Sequence, residues 1–273
     1  MENNMNYFVY NHHDFWKWPA GNVASALDAD IVFMWADWPF KDQVDMFKTL
    51  GKKVITYEHG FGALSDYYLN KRQPCSDGYL ALGKLTKAYL AKAKVPRDRI
   101  LVTGSPVFDG IKKKDHGFGK KALYVALHWV EDRTEYNNNR FKELREVYPD
   151  FEWTVKLNDK TGFDGDNYNT WKNNTEGNII QDIKDNIHNY DMVFTPRYST
   201  FETIATLAGL PVYVIDEKES YKIDGDPGRM ELDYTYLKIG DRLPRQKQRD
   251  LSLEVSPRTM PFEKILKWCE SVI

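Results

Sequence analysis

Short apolar runs rich in valine, isoleucine and aromatic residues recur along this chain, and segments with helical spacing separate them. Runs of this kind suit strands buried on both faces, and intervening helices are what join parallel strands. The pattern therefore predicts an α/β fold built of two Rossmann-like domains facing each other across a cleft.

In the first half the runs fall at 7–10, 31–35, 54–57, 78–82 and 100–103, with helices over 40–50 and 84–94, the latter ending before Pro96. The second half predicts strands at 122–130, 151–157, 178–179, 192–195 and 212–215, and helices over 140–147, 200–208 and 262–273. The stretch KKKDHGFGKK at 112–121 is charged, carries two glycines and lacks apolar periodicity, so it reads as a linker. The expected division is 1–115 for the first domain and 116–273 for the second, with the last helix free to pack back on the first. Residues 217–258 are charged and proline-bearing, and predict irregular structure or a flap.

A chain of 273 residues is long enough for two such domains. Its 38 basic and 40 acidic residues nearly cancel, which excludes a global field for nucleic acid or anionic membrane. No run of 18 apolar residues occurs, and the N-terminus carries no basic leader, so a cytoplasmic location without a membrane span is expected. Two cysteines, Cys75 and Cys269, are too few for a disulfide framework or a metal cluster and are expected as free thiols.

In doubly wound sheets ligands bind beyond the carboxyl ends of the strands, so the residues following each run are the candidate site. After the run at 192–195, Arg197 offers a bidentate fork to a phosphate, and Ser199 and Thr200 open a helix whose free N–H groups favour an anion. Glu202 suits a ribose diol. Ser199 and Glu202 also fit a capping box, in which they satisfy only the helix's own amides. After the run at 54–57 come Glu58, His59, Gly60 and Gly62. Either Glu58 or His59 would serve as a general base, and the glycines permit close backbone approach; a structural histidine is the competing reading.

Ser105, after the run at 100–103, lies in a Gly-Ser-Pro turn that reads equally as a ligand contact or a plain bend. Lys156 ends a strand and either meets a phosphate as a point charge or stays a solvated strand-end lysine. His128 with Glu131, Asp132 and Arg133 forms a polar cluster that reads as a donor contact or a solvated turn. His12, His13 and Asp14 follow the first run and Asp37 the second, which would put His13 and Asp37 at the cleft; no partner spacing supports a metal there. The sequence holds no GxxxxGK[ST], GxGxxG, GxSxG or HExxH motif, which argues against P-loop, dinucleotide-dehydrogenase, hydrolase and zincin chemistry.

The segments YEHGFGAL, GYLALGKLTKAYL, ILVTGSPVFD, ALYVALHWVED, VKLND and RYSTFETIATLAGLPVYVID, in that order, together resemble the GT-B glycosyltransferase superfamily. Its relatives include the UDP-N-acetylglucosamine 2-epimerases and the CDP-glycerol glycerophosphotransferases. TGSPVFD is similar to the epimerases' TGNPVxD, and ALHWVED to their THRxEN, with Trp129 where that family has arginine. Glu58-His59-Gly60 is similar to the WHG of the glycerophosphotransferases, and Lys156 to the lysine of their KxHP.

The resemblance implies a metal-independent transferase. It would take a nucleoside-diphosphate sugar as co-substrate, a UDP-sugar first among them, and need no other cofactor. Arg197, Ser199, Thr200, Glu202, Lys156, Ser105 and His128 would then hold the donor. Glu58, His59 or Asp37 would deprotonate the acceptor hydroxyl, with His13, Gly60 and Gly62 lining its side. The acceptor itself is open, a modified DNA base being one minority possibility through the lysine-rich linker. An epimerase, a hydrolase or a CDP-glycerol-type transferase of the same fold, and a nucleotide-binding protein without catalysis, stand as the alternatives. The chain is short for the superfamily, which implies a trimmed variant of the kind found in viral or mobile-element genomes.

Overall fold

The computed structural model describes residues 5–10, 23, 25–58, 73–113, 119–126, 133–157, 179–180, 186–195, 200–215, 235–244, 255–256 and 258–272. Of these, the side chains of 38, 133–135, 179–180, 200, 202 and 235–236 are not included. The chain divides into two compact units, each built on one parallel sheet.

Among the described residues the first unit carries five strands: β1 (Tyr7–Tyr10), β2 (Ile31–Met34), β3 (Lys53–Tyr57), β4 (Gly78–Ala81) and β5 (Ile100–Val102). They lie side by side in chain order, all parallel. Parallel crossovers are right-handed, so connections that always step the same way put their helices on one face. The two described crossover helices, α1 (Lys41–Thr49) and α2 (Lys84–Lys92), follow this rule. Val44 and Phe47 of α1 pack on Val32, Met34 and Val54, and Leu90 of α2 packs on Tyr79, Ala81 and Ile100.

The alternate residues of the same strands, Tyr7, Val9, Ile31, Phe33, Ile55, Tyr57 and Leu80, face the other way. A helix from the chain's far end, α3 (Phe262–Ser271), covers them with Ile265 and Cys269, both wholly buried. Phe262 meets Tyr7 at 4.9 Å and Phe33 at 5.8 Å between ring centres. A sheet wound in one direction leaves one face bare, and this helix supplies the missing layer. Its fit needs Gly78: a Cβ there would stand 2.8 Å from Trp268.

The second unit holds β6 (Lys121–Val125), β7 (Glu152–Lys156), β8 (Ile179–Ile180), β9 (Met192–Thr195), β10 (Val212–Val214) and β11 (Thr235–Tyr236). Their spatial order is β8-β7-β6-β9-β10-β11, again all parallel. Chain order runs outward from β6 to β8, then returns to the other side of β6 and runs outward to β11. That is the 3-2-1-4-5-6 order of a Rossmann sheet, and its direction reverses between β6 and β9.

One face packs Tyr124, Trp153, Phe194 and Tyr213 against Phe141 and Leu144 of α4 (Arg133–Val147), with Trp153 and Tyr213 each 5.2 Å from Phe194. Residues of the opposite face include Lys156, which reaches Phe201 of α5 (Thr200–Leu207). The sheet is therefore wound on both faces.

Two departures from the expected elements have physical causes. Helix α4 starts at Arg133 rather than 140, through a polar stretch of three asparagines with weak helix propensity. Asn137 and Asn138 are nonetheless buried, and the Tyr124 hydroxyl donates to the Asn137 carbonyl and Oδ1 at 3.2 and 3.1 Å, so tertiary contacts override propensity. Strand β11 lies in the region expected to be irregular; two residues are too few to show a period.

Candidate functional site

The reversal between β6 and β9 leaves a crevice at the carboxyl ends of those two strands, because the chains leaving them cross to opposite faces. The register pairs Tyr124 with Phe194, so Val125 and Thr195 follow as the last rung, and Val125 pairs with Lys156 on β7. Lys156, Val125 and Thr195 thus form one row along the carboxyl edge, with 2 %, 2 % and 0 % exposure. Lys156 is no solvated strand-end lysine. Its ammonium donates to the Leu157 carbonyl and lies 4.9 Å from the centre of the Phe201 ring. Phe201 is the second residue of α5, whose N-terminal amides carry partial positive charge. A buried ammonium close to a helix start, at a switch point, is an arrangement that attracts an anion.

Several sequence candidates belong to the links that follow these two strands. Arg197 and Ser199 lie in the link from β9 to α5, and His128 follows β6; all three fall outside the described residues. Thr200 is the first residue of α5 and Glu202 its third, with their side chains likewise outside.

The carboxyl edge of the first sheet is a second polar locus, in the other unit. Asp37, wholly buried after β2, accepts on Oδ2 from the Tyr79 hydroxyl at 2.6 Å, the Cys75 amide at 2.8 Å and the Ser76 amide at 3.0 Å. Thr56 and Ser76 hydroxyls meet at 2.7 Å beside it. Burial, and then the Asp37 charge, hold the Tyr79 phenol well above its ordinary value. The same causes, in the same order, push the Cys75 thiol to about 12. Glu58, 1 % exposed, accepts from the Leu82 amide at 3.0 Å and so closes the end of β4. His59, Gly60 and Gly62 beyond it, and His13 after β1, lie outside the described residues.

Ser105 also belongs to the first unit. It is 3 % exposed and accepts from the Val107 amide at 3.4 Å, capping the short turn Pro106–Phe108. Gly104 before it takes φ +68° and leaves only 3.1 Å between a would-be Cβ and the Arg258 carbonyl. The segment before α3 is tied here: the Ser256 amide donates to Leu82, the Met260 amide to Thr103, and the Thr259 hydroxyl to Asp109 at 2.7 Å.

Phe201, Tyr79 and the burial of Lys156 escape a sequence reading. Phe201 sits in an amphipathic helix where an aromatic residue signals core, and nothing local marks its distant partner. Among the described residues no group of histidine, cysteine and carboxylate side chains could hold a metal ion, and no helix is long and apolar enough to cross a membrane.

No family model matches the chain, and no curated protein does. Among solved structures it is similar to the wall teichoic acid polymerase TagF, with 14 % identity over 78 % of this chain and 62 % of that one, at a TM-score of 0.45. It is also similar to the S. aureus MnaA structure with UDP (16 %, 69 % of this chain, 57 % of that one, 0.48). A third is CalG4, the calicheamicin glycosyltransferase (11 %, 77 % of this chain, 62 % of that one, 0.47). The chain thus spans about six tenths of the length of these structures.

Proposed function

We propose that the chain is a GT-B-type glycosyltransferase that binds the nucleoside diphosphate of an activated sugar, a UDP-sugar first among them, at the β6/β9 switch point of its second unit. The observation that carries this is the 3-2-1-4-5-6 strand order, in which the reversal falls between the two strands that ALHWVED and PRYSTFE directly follow. Those are the segments whose residues suit a diphosphate.

In this reading Arg197, Ser199, Thr200, Lys156 and the amides opening α5 neutralise the diphosphate as it leaves. Departure of that group concentrates negative charge, so fixed donors aimed there lower the barrier without a metal. His128 contacts the donor from β6, and Glu202 accepts from the ribose. Ser105 lies in the first unit, where its hydroxyl caps the turn at 106–108.

The acceptor's proton passes to His59, on the acceptor side with Gly60, Gly62 and His13. Glu58 and Asp37 would then hold the edge of the first sheet, since the described hydrogen bonds already engage both carboxylates. A thermal-shift screen of UDP, CDP, GDP and ADP tests the donor half. A ligand at 100 times its Kd adds about 2.7 kcal/mol of stability. One nucleotide is expected to raise the Tm, and Arg197→Ala to abolish the rise; no shift with any of the four contradicts the reading.

A further inference from the structure

We infer that Phe201 is a positioning residue that holds the Lys156 ammonium at the switch point; this rests on the reading that a nucleoside diphosphate binds there. Lysine has a flexible four-carbon stem, and an ammonium at a strand end would ordinarily extend into water. Here it is 98 % buried along the sheet face, in register with apolar Val125, where losing hydration is costly unless compensating contacts are made.

Among its contacts, two with described residues bear on where it is held. One is to the carbonyl of the next residue, Leu157, which travels with Lys156 and cannot aim it across the sheet. The other is the face of Phe201, 4.9 Å away and carried on a different element, α5. A ring at that distance attracts a cation through its quadrupole, more strongly where water is excluded. Phe201 is also the residue that follows Thr200 at the helix start. The ring therefore fixes the charge of β7 beside the amides of α5, so that both face one anion before it arrives. Preorganisation of this kind strengthens binding by removing the cost of ordering a mobile side chain on association.

The test is calorimetric titration of UDP, CDP, GDP and ADP into wild type, Phe201→Leu, Phe201→Tyr, Lys156→Met and the Phe201→Leu/Lys156→Met double variant. Phe201→Leu should weaken the diphosphate that binds by about 5- to 30-fold, and Phe201→Tyr, which keeps the ring, should restore it. In the Lys156→Met background Phe201→Leu should change the affinity less than twofold, since it acts through the ammonium.

A Phe201→Leu protein with wild-type affinity, alongside a weakened Lys156→Met, overturns the inference and leaves the site standing. So does an undiminished Phe201→Leu effect without the lysine, which would mean that the ring touches the ligand itself. Failure of the wild type to bind any of the four overturns the underlying reading. If Phe201→Leu fails to fold, Phe201→Tyr and Phe201→Met carry the same comparison, with Tyr expected to hold the affinity and Met to lose it; equal affinities overturn the inference.

Discussion

Asp37 shows how a single carboxylate organises its surroundings. One oxygen accepts from Tyr79, Cys75 and Ser76, fixing the segment that enters β4. Asp37→Ala strands those buried donors and should lower stability by about 3 kcal/mol in urea unfolding. The thiols beside and beneath this sheet follow the same physics. Cys75 and Cys269 are both pushed to about 12, principally by burial, from an ordinary 9.0. An acid whose folded value is raised loses its proton first in the unfolded chain. That part of the stability is therefore complete below about pH 9 and is lost as pH rises toward 12. Melting temperatures should be flat to pH 9 and fall above it, and alkylation at pH 8 should be at least about a hundredfold slower in the native protein than in urea. Glu58 separates two roles. Glu58→Gln keeps an acceptor for the Leu82 amide and should leave stability within about 0.5 kcal/mol; sugar transfer that also survives would assign Glu58 to structure, and its loss would assign it to proton transfer.

At the scale of elements, the helix α3 completes the first unit, and it is the place where sequence and structure meet most instructively. Its amphipathic spacing is legible in the sequence, and so are β1 to β5, because buried strands must be apolar on both faces. What the apolar runs do not carry is their order. Only the structure shows that the first sheet is wound one way and so needs a helix from 160 residues downstream of β5. Gly78 is invisible as a contact for the same reason, its partner Trp268 being 190 positions away. Ile265→Ala should cost about 2–5 kcal/mol by leaving a cavity against Phe33 and Ile55. Gly78→Val should displace Trp268, read as a red-shifted tryptophan emission together with a lower Tm. The asparagine-rich start of α4 stayed hidden because propensity speaks against it and only Tyr124, on a strand, supplies the compensating hydrogen bonds.

Over the whole molecule, the proposed function divides by topology. Among the described strands the first sheet has no reversal, and Asp37, Glu58 and the segment before α3 make hydrogen bonds at its carboxyl edge. The second sheet has one reversal, and the segments proposed to hold a diphosphate follow the two strands that flank it. Sequence reading proposed those residues by motif; strand order supplies an independent reason to look there, and the buried Lys156 adds a fixed charge that no sequence pattern revealed. Hydrogen–deuterium exchange with and without the nucleoside diphosphate that raises the Tm tests this division most directly. The account predicts that added protection appears in peptides covering 126–133, 154–158 and 195–203, and not in those at the ends of β1, β2, β4 and β5. Protection confined to the first unit, or none with any nucleoside diphosphate, would contradict it.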